Sequence, residues 1–493
     1  VVAGARAAAA RVPAVAWLCA AAALVVTVAW SLVIPPFHVP DEHAHLAYVQ
    51  QFAETGDLPR DKPESVLPED TSKALYYTGF FNVIGQTENR PPITTLQDRA
   101  LQEGIEGAGS TGNGDVDVAT AQPPLYYAIE AVPYRAAESG SILTRLSLMR
   151  LVTCLLAALT ALFATLFVRE LLPGTPWAWA VGGLGVAFQP TFGFISAGVN
   201  PDGFMFAAAA ALFYAVARAL RRGLDPATGL AIGAAACAGA LGKLTFLGLV
   251  PGALAGVALL LAREWRGPNR RPALVGAAAA VLPLVVGIAI YAALNVTVWD
   301  RPALGLGAVA TVATQGADAP NGSIRGELSY TWQLFLPRLP IQHEYFTKWP
   351  IEDIWLTGFV GRFGWLDYGF EPWVYDVAHW VGIAVLLLAL VALLRRGRPM
   401  LRRLPELAVY TLMAGGVMLV IGHADFPAYL SGGPNFRQAR YLLPLLPLYA
   451  VLLGLAARAP GRRFGPALGA AIVMAAFAHT LFAQLLTISR FYG

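Results

Sequence analysis

Asp41, Glu42, His43 and His45 fall within five consecutive positions of the stretch Ile34 to Arg60, IPPFHVPDEHAHLAYVQQFAETGDLPR. A carboxylate can take the proton of an attacking hydroxyl. Asp41 and His45 are four apart and share one face of a helix. With His423 and Asp425, from a second polar stretch, they make a candidate site for a divalent metal, magnesium or manganese, although no full ligand set is readable. Ionisable residues beside a long apolar segment are costly to place and point to function. A local explanation competes at Asp41. Pro40 can take the first helical position, which would put Asp41 and Glu42 in a first turn where the helix dipole favours carboxylates.

These residues sit in a chain built for lipid. Of 493 residues 56% are hydrophobic and 13% charged, about half the charged share of a soluble domain. Apolar runs near the roughly 20 residues that cross a bilayer recur at about 13–34, 146–170, 175–192, 203–220, 227–242, 246–262, 273–298, 376–394, 405–421, 439–457 and 465–487. The first is too long for a typical signal-peptide core and reads as a retained helix. Arginines cluster in short connections: Arg6 and Arg11, Arg218 to Arg222, Arg263 to Arg271, Arg395 to Arg403, Arg458 to Arg463. About eleven alternating helices put all of these on one side, which the positive-inside rule makes the cytoplasm. The formal net charge of +4 is therefore mostly a topology signal, and a nucleic-acid partner is not indicated. Cys19, Cys154 and Cys237 lie inside apolar runs and suggest neither disulfides nor a thiolate metal site.

Two long segments leave the membrane on the opposite, extracytoplasmic side, at 35–145 and 299–375. The first has helical periodicity over 41–54 and near 120–137, separated by the Gly-rich stretch 104–117. The second is crowded with aromatic residues suited to short interfacial helices, or simply to an aromatic belt. Polar chemistry gathers on this one face while the spans are nearly free of charge. A secondary transporter usually carries ionisable groups near the midplane, so the asymmetry favours an enzyme acting at the outer surface.

The stretch PDEHAHLAYVQQFAETGDLP resembles the first external loop of the GT-C superfamily of glycosyltransferases, which use sugars carried on polyprenyl phosphate. Asp41 and Glu42, then Gly56, Asp57 and Pro59, match the D-E-x-x-Y-A…G-D-x-x-P pattern of its aminoarabinose and protein-mannosyl transferase-like branch. Gln122-Pro-Pro-Leu-Tyr-Tyr127 resembles that branch's K-P-P-L motif, with glutamine in place of the lysine that contacts donor phosphate. Asn200-Pro-Asp-Gly203, Gly242-Lys-Leu-Thr-Phe-Leu-Gly248 and Arg440-Tyr-Leu-Leu-Pro-Leu-Leu-Pro447 also look like such proteins. The P-D-E-x-A-H wording is similar to an actinobacterial-type predicted membrane family of unassigned function. The resemblance implies a single all-α polytopic membrane domain: a GT-C-type bundle of about eleven helices with interfacial helices in the two outer segments.

The chemistry this implies is modest. Expelling a phosphate needs one base for the acceptor hydroxyl and positive charge on the leaving group. The resemblance makes Asp41 the base, with Glu42 beside it orienting the acceptor or a neighbour. Lys243, Arg437 and Arg440 are the candidate donor-phosphate cations, with Gln122 and Tyr126 lining that groove. Lys243 can equally be a snorkelling end residue, whereas Arg437 and Arg440 run against the positive-inside bias. Asp202, Trp365 and Asp367 are candidate acceptor contacts, although Asp202 can instead belong to a helix start capped by Asn200. The expected function is inverting transfer of one sugar from a polyprenyl-phosphate donor to a cell-envelope glycan or lipid acceptor. Its setting would be the cytoplasmic membrane of a bacterium, which the Ala- and Arg-rich composition suggests. The competitors are a polyprenyl-diphosphate oligosaccharide polymerase or ligase, and a lipid-linked sugar flippase or transporter without catalysis.

Overall fold

The computed structural model describes residues 12–59, 67–91, 103–104, 119–305, 323–395, 403–432 and 437–493. The helices that matter below are α1 (Ala14–Val33), α2 (Glu42–Thr55), α3 (Leu125–Ala136), α4 (Ile142–Leu171), α5 (Pro176–Ala187), α6 (Pro201–Arg222), α7 (Pro226–Gly242), α8 (Val250–Glu264), α9 (Arg270–Thr297), α10 (Ile324–Phe335), α11 (Pro372–Leu394), α12 (Leu404–Ser431), α13 (Leu446–Arg458) and α14 (Gly461–Tyr492). Short 3-10 turns, Leu244–Leu249 and Ala439–Leu445, lead into α8 and α13. The only sheet among the described residues is a hairpin, β1 (Arg362–Phe363) antiparallel to β2 (Tyr368–Gly369). The protein is thus an all-α, multi-pass membrane protein.

Among the described residues nine helices are long and apolar enough to cross a membrane. Two of the eleven expected spans are shorter than expected. The run 175–192 holds only the 12-residue α5, about 18 Å at 1.5 Å per residue. It ends where Pro190 opens a separate helix, Pro190–Ile195, capped by the Gln189 side chain. The run 227–242 is the 17-residue α7. It lies against α9 at near-backbone distance: a Cβ at Gly229 or Gly233 would run into the carbonyls of Gly276, Ala279 and Ala280.

Charge separates the two ends of the bundle. At one end Arg222 pairs with Glu170 at 2.5 Å, Arg221 with Glu406 at 3.0 Å, and Arg395 donates to the Ala459 carbonyl. These contacts join the ends of α4, α6, α11, α12 and α13, so the connections after α6, α11 and α13 share one side; Arg6 and Arg11 lie outside the described residues. Asp41, Asp202, Lys243 and Arg440 lie at the opposite end. The outer segments supply α2 and α3 where the periodicity places them, and α10 from the second segment. The Gly-rich stretch, apart from Gly104, lies outside the described residues, as do Arg396, Arg398 and Arg402.

Candidate functional site

α2 begins at Glu42, two residues later than a Pro40 start requires. Asp41 precedes it with φ 65° and ψ 7°, and its carboxylate caps no helix N–H. Left-handed backbone is uncommon for a residue with a side chain and costs of order 1–3 kcal/mol. Neighbouring contacts impose it. Asn200 Nδ2 holds the Pro40 carbonyl at 3.0 Å, and Phe37, itself at φ 71°, donates its N–H to Glu42 at 2.8 Å. Helix capping therefore does not explain Asp41. Its Oδ2 instead accepts a 2.6 Å bond from Arg440 Nη2. Burial pushes the Asp41 carboxyl up, but the Arg440 guanidinium and the Lys243 charge outweigh it and hold the pKa below the usual carboxylate value.

Glu42 is fully buried and differently engaged. It takes a fork from Arg150, Nε at 2.7 Å and Nη2 at 2.5 Å, and also accepts the N–H groups of Phe37 and Val199, at 2.8 and 3.0 Å. Four donors occupy the lone pairs of a carboxylate, so no acceptor hydroxyl can use it. Arg150 spends its other donors on the Ser31, Ile34 and Pro35 carbonyls. The pair therefore locks the end of α1, the turn before Asp41 and the loop before α6 onto α4. All four of these Glu42 contacts are to protein donors that fix the local backbone.

Opposite Asp41 stand two cations. Pro201 and the Asn200 cap, whose Oδ1 accepts the Asp202 N–H at 2.9 Å, start α6 at this point. α7 stops at Gly242, where a Cβ would meet the Phe204 ring of α6. That close approach brings Lys243, extended at φ −156°, against Asp202. Lys243 Nζ bonds Asp202 Oδ1, and Arg440 Nε lies 3.6 Å from Asp202 Oδ2. The order Lys243, Asp202, Arg440, Asp41 alternates in sign along a buried line. The Tyr441 ring lies beneath both cations, with Arg440 Cζ 5.1 Å and Lys243 Nζ 5.5 Å from its centroid. Nε and Nη1 of Arg440 are buried without a hydrogen-bond partner, an unusual state for strong donors.

The remaining sequence-derived residues divide. Gln122 reaches this corner, its Oε1 3.4 Å from the Leu244 N–H. Glutamine thus stands beside Lys243, which arrives from another helix. Tyr126 points elsewhere, to Thr153 at 3.2 Å, and Thr153 donates to Glu130, whose carboxyl burial raises to about 8. The adjacent Tyr127 faces the site: its hydroxyl lies 3.0 Å from His45 Nδ1. Burial pushes His45 down to about 3, so the ring is neutral at physiological pH. Asp202 is fully buried between Lys243 and Arg440, with Oδ2 free of any hydrogen bond. Arg437 pairs at 3.0 Å with Asp425, which also accepts from Tyr330, while His423 pairs with Glu327 at 2.8 Å. No group of three or more His, Cys, Asp or Glu among the described residues could hold a metal, so Asp41, His45, His423 and Asp425 do not converge as ligands. Trp365 Nε1 donates to the Phe37 carbonyl at 3.2 Å, and Asp367 accepts the Trp365 N–H at 3.0 Å. The Trp365 bond ties the β1–β2 turn to the loop before Asp41, and the Asp367 bond closes the turn itself. Sequence reasoning missed Arg150, although an arginine near the outer start of the apolar run 146–170, far from Arg169 and Glu170 at its other end, was the signal.

The fold defines a multi-pass integral membrane protein with a buried, alternating line of charges at one end of its bundle. The chain belongs to a family of predicted membrane proteins, DUF2142, whose model matches residues 24–449. No curated protein matches it. Among solved structures it is similar to the apo form of the Archaeoglobus fulgidus oligosaccharyltransferase, at 13% identity and a TM-score of 0.46, covering 96% of this chain and 56% of that one. The chain thus spans little more than half the length of that protein.

Proposed function

We propose that this protein is a GT-C-type glycosyltransferase that moves one sugar from a polyprenyl-phosphate donor to an extracytoplasmic acceptor. The observation that carries the reading is Asp41, held in a strained turn with its carboxylate aimed out of the helix at Arg440. The motif resemblance supports the same assignment. Asp41 takes the proton of the acceptor hydroxyl as that oxygen attacks the anomeric carbon. The anomeric C–O bond to phosphate breaks, and its electron pair leaves with the lipid phosphate. Displacement from the opposite face inverts the anomeric centre. Arg440, with two unpartnered buried donors, and Lys243 take the growing phosphate charge. Phosphate also competes with Asp41 for Arg440. Donor binding therefore loosens the ion pair and makes Asp41 a better base at the moment it is needed.

Purified protein in lipid nanodiscs, supplied with polyprenyl-phosphate sugars and envelope-glycan acceptors, tests this. Donor-dependent product of inverted configuration is expected. Asp41→Asn should lose about 100-fold or more in turnover while still binding donor. Undiminished turnover in Asp41→Asn would remove Asp41 as the base. Product only from polyprenyl-diphosphate oligosaccharides would make the protein a polymerase or ligase, and lipid flipping without product would make it a flippase.

A further inference from the structure

The bundle has a second feature, remote from Asp41 and independent of the reading above. A cavity of about 460 Å3 opens between α11 and α12 at the arginine-rich end, floored by α4 and α13; ligand pockets run from roughly 300 to 1,000 Å3. Its walls are mostly apolar, and its charged groups sit at one end, Arg221, Arg403 and Glu406, followed along α12 by Tyr410 and Thr411. Glu406 is already engaged, accepting from Arg221 at 3.0 Å and from the Tyr410 hydroxyl at 3.2 Å. Arg403 has no carboxylate partner among the described residues. It makes only a long 3.4 Å bond to the Leu171 carbonyl. Two guanidiniums thus face one carboxylate at the mouth.

Along α12 the lining runs from Arg403 to Met418, about 22 Å at 1.5 Å per residue. That exceeds the roughly 15 Å of one leaflet's hydrocarbon. The slot is kept open by a glycine pair with divided roles. Gly416 packs against the Gly248 carbonyl, where no Cβ fits. Gly415, which lines the slot, has nothing within 4 Å of the position of a Cβ.

We infer that this slot holds an anionic membrane phospholipid, its phosphate on Arg403 and Arg221 and one acyl chain along α12 and α13. Charge complementarity selects the headgroup, and the orientation is that of a lipid in the leaflet at the arginine-rich end. A donor with its phosphate on Arg440 would enter from the other end.

Native mass spectrometry of the purified protein, equilibrated with phosphatidylglycerol or phosphatidylcholine, tests the inference. Phosphatidylglycerol should be retained in preference. Arg403→Ala should weaken its retention about fivefold, the equilibrium worth of one guanidinium at an anionic headgroup. Gly415→Leu, whose Cβ would meet nothing within 4 Å and whose remaining atoms extend the bulk into the slot, should abolish retention. Gly382→Leu is the control: it adds the same bulk to α11, at a glycine with nothing within 4 Å that does not line the slot, and should leave binding unchanged. Thermal unfolding of each variant establishes that it is folded. Equal retention of the two lipids would overturn the inference, as would phosphatidylglycerol binding that survives Gly415→Leu. Displacement of phosphatidylglycerol by undecaprenyl phosphate, with donor binding lost in Gly415→Leu, would assign the slot to the donor tail instead.

Discussion

At the scale of single residues, two carboxylates adjacent in sequence do opposite work. Asp41 is partly exposed and pairs with a single cation, Arg440, for which the proposed donor phosphate would compete, whereas Glu42 accepts four hydrogen bonds from the protein. The pH dependence of the proposed reaction should separate free enzyme from complex. In the free enzyme the Asp41 pKa is depressed, so the acid limb of kcat/KM for donor should lie below the ordinary carboxylate value. In the complex, phosphate draws on Arg440, so the acid limb of kcat should lie at higher pH. Coincident limbs would refute that coupling. The same depression makes Asp41 a contributor to stability above its unfolded pKa, a contribution lost as pH falls through the folded value. Glu42→Gln should behave differently from Asp41→Asn. It leaves Arg150 buried without its counter-charge, and breaking such a pair costs about 3–5 kcal/mol. Thermal or denaturant unfolding should therefore show Glu42→Gln strongly destabilised and Asp41→Asn much less so. The sequence could not distinguish these roles, because a helix start and a strained turn share the same letters. Only the positive φ at Asp41 and the distant Arg150 decide.

At the scale of elements, the site depends on where helices stop. Lys243 is a phosphate candidate because α7 ends at Gly242 against Phe204 of α6, and Arg440 because a 3-10 turn delays α13 until Leu446. The helices themselves were legible from apolar length. Their breaks were less so: Pro190 splits the expected span 175–192, and Gln189 caps the second piece. The approach of α7 to α9 is equally invisible in composition, since it rests on Gly229 and Gly233 facing backbone carbonyls. Gly229→Val should therefore cost at least the ~1–3 kcal/mol typical of overpacking, because backbone cannot step aside as a side chain can. It should also weaken donor binding by shifting Lys243 at the far end of α7. Unfolding and donor titration of this one variant read both effects. Stability lost with donor affinity unchanged would show that Lys243 is positioned by α6 alone.

At the scale of the whole molecule, the distribution of charge carries the argument. Three of the arginine-bearing connections that composition assigned to one side do share an end of the bundle, through Arg222–Glu170, Arg221–Glu406 and the Arg395 bond to Ala459, and the alternating line from Lys243 to Asp41 lies at the other end. What the sequence hid was pairing across distance. Asp202 reads locally as part of a helix start, yet in the fold it separates two cations supplied by residues 41 and 238 positions away, Lys243 and Arg440. The extracytoplasmic side of the site is the expectation from the positive-inside rule and is open to direct measurement. Asp57, just beyond α2, and Arg266, just beyond α8, are both exposed at opposite ends of the bundle. The native cysteines are buried or half-buried and can remain in place. A membrane-impermeant maleimide should label Asp57→Cys in intact cells and Arg266→Cys only after permeabilisation. The reverse pattern would put Asp41 and Arg440 on the cytoplasmic face. An extracytoplasmic acceptor would then be impossible, and the proposed donor would have to be used on the side where such lipids are made.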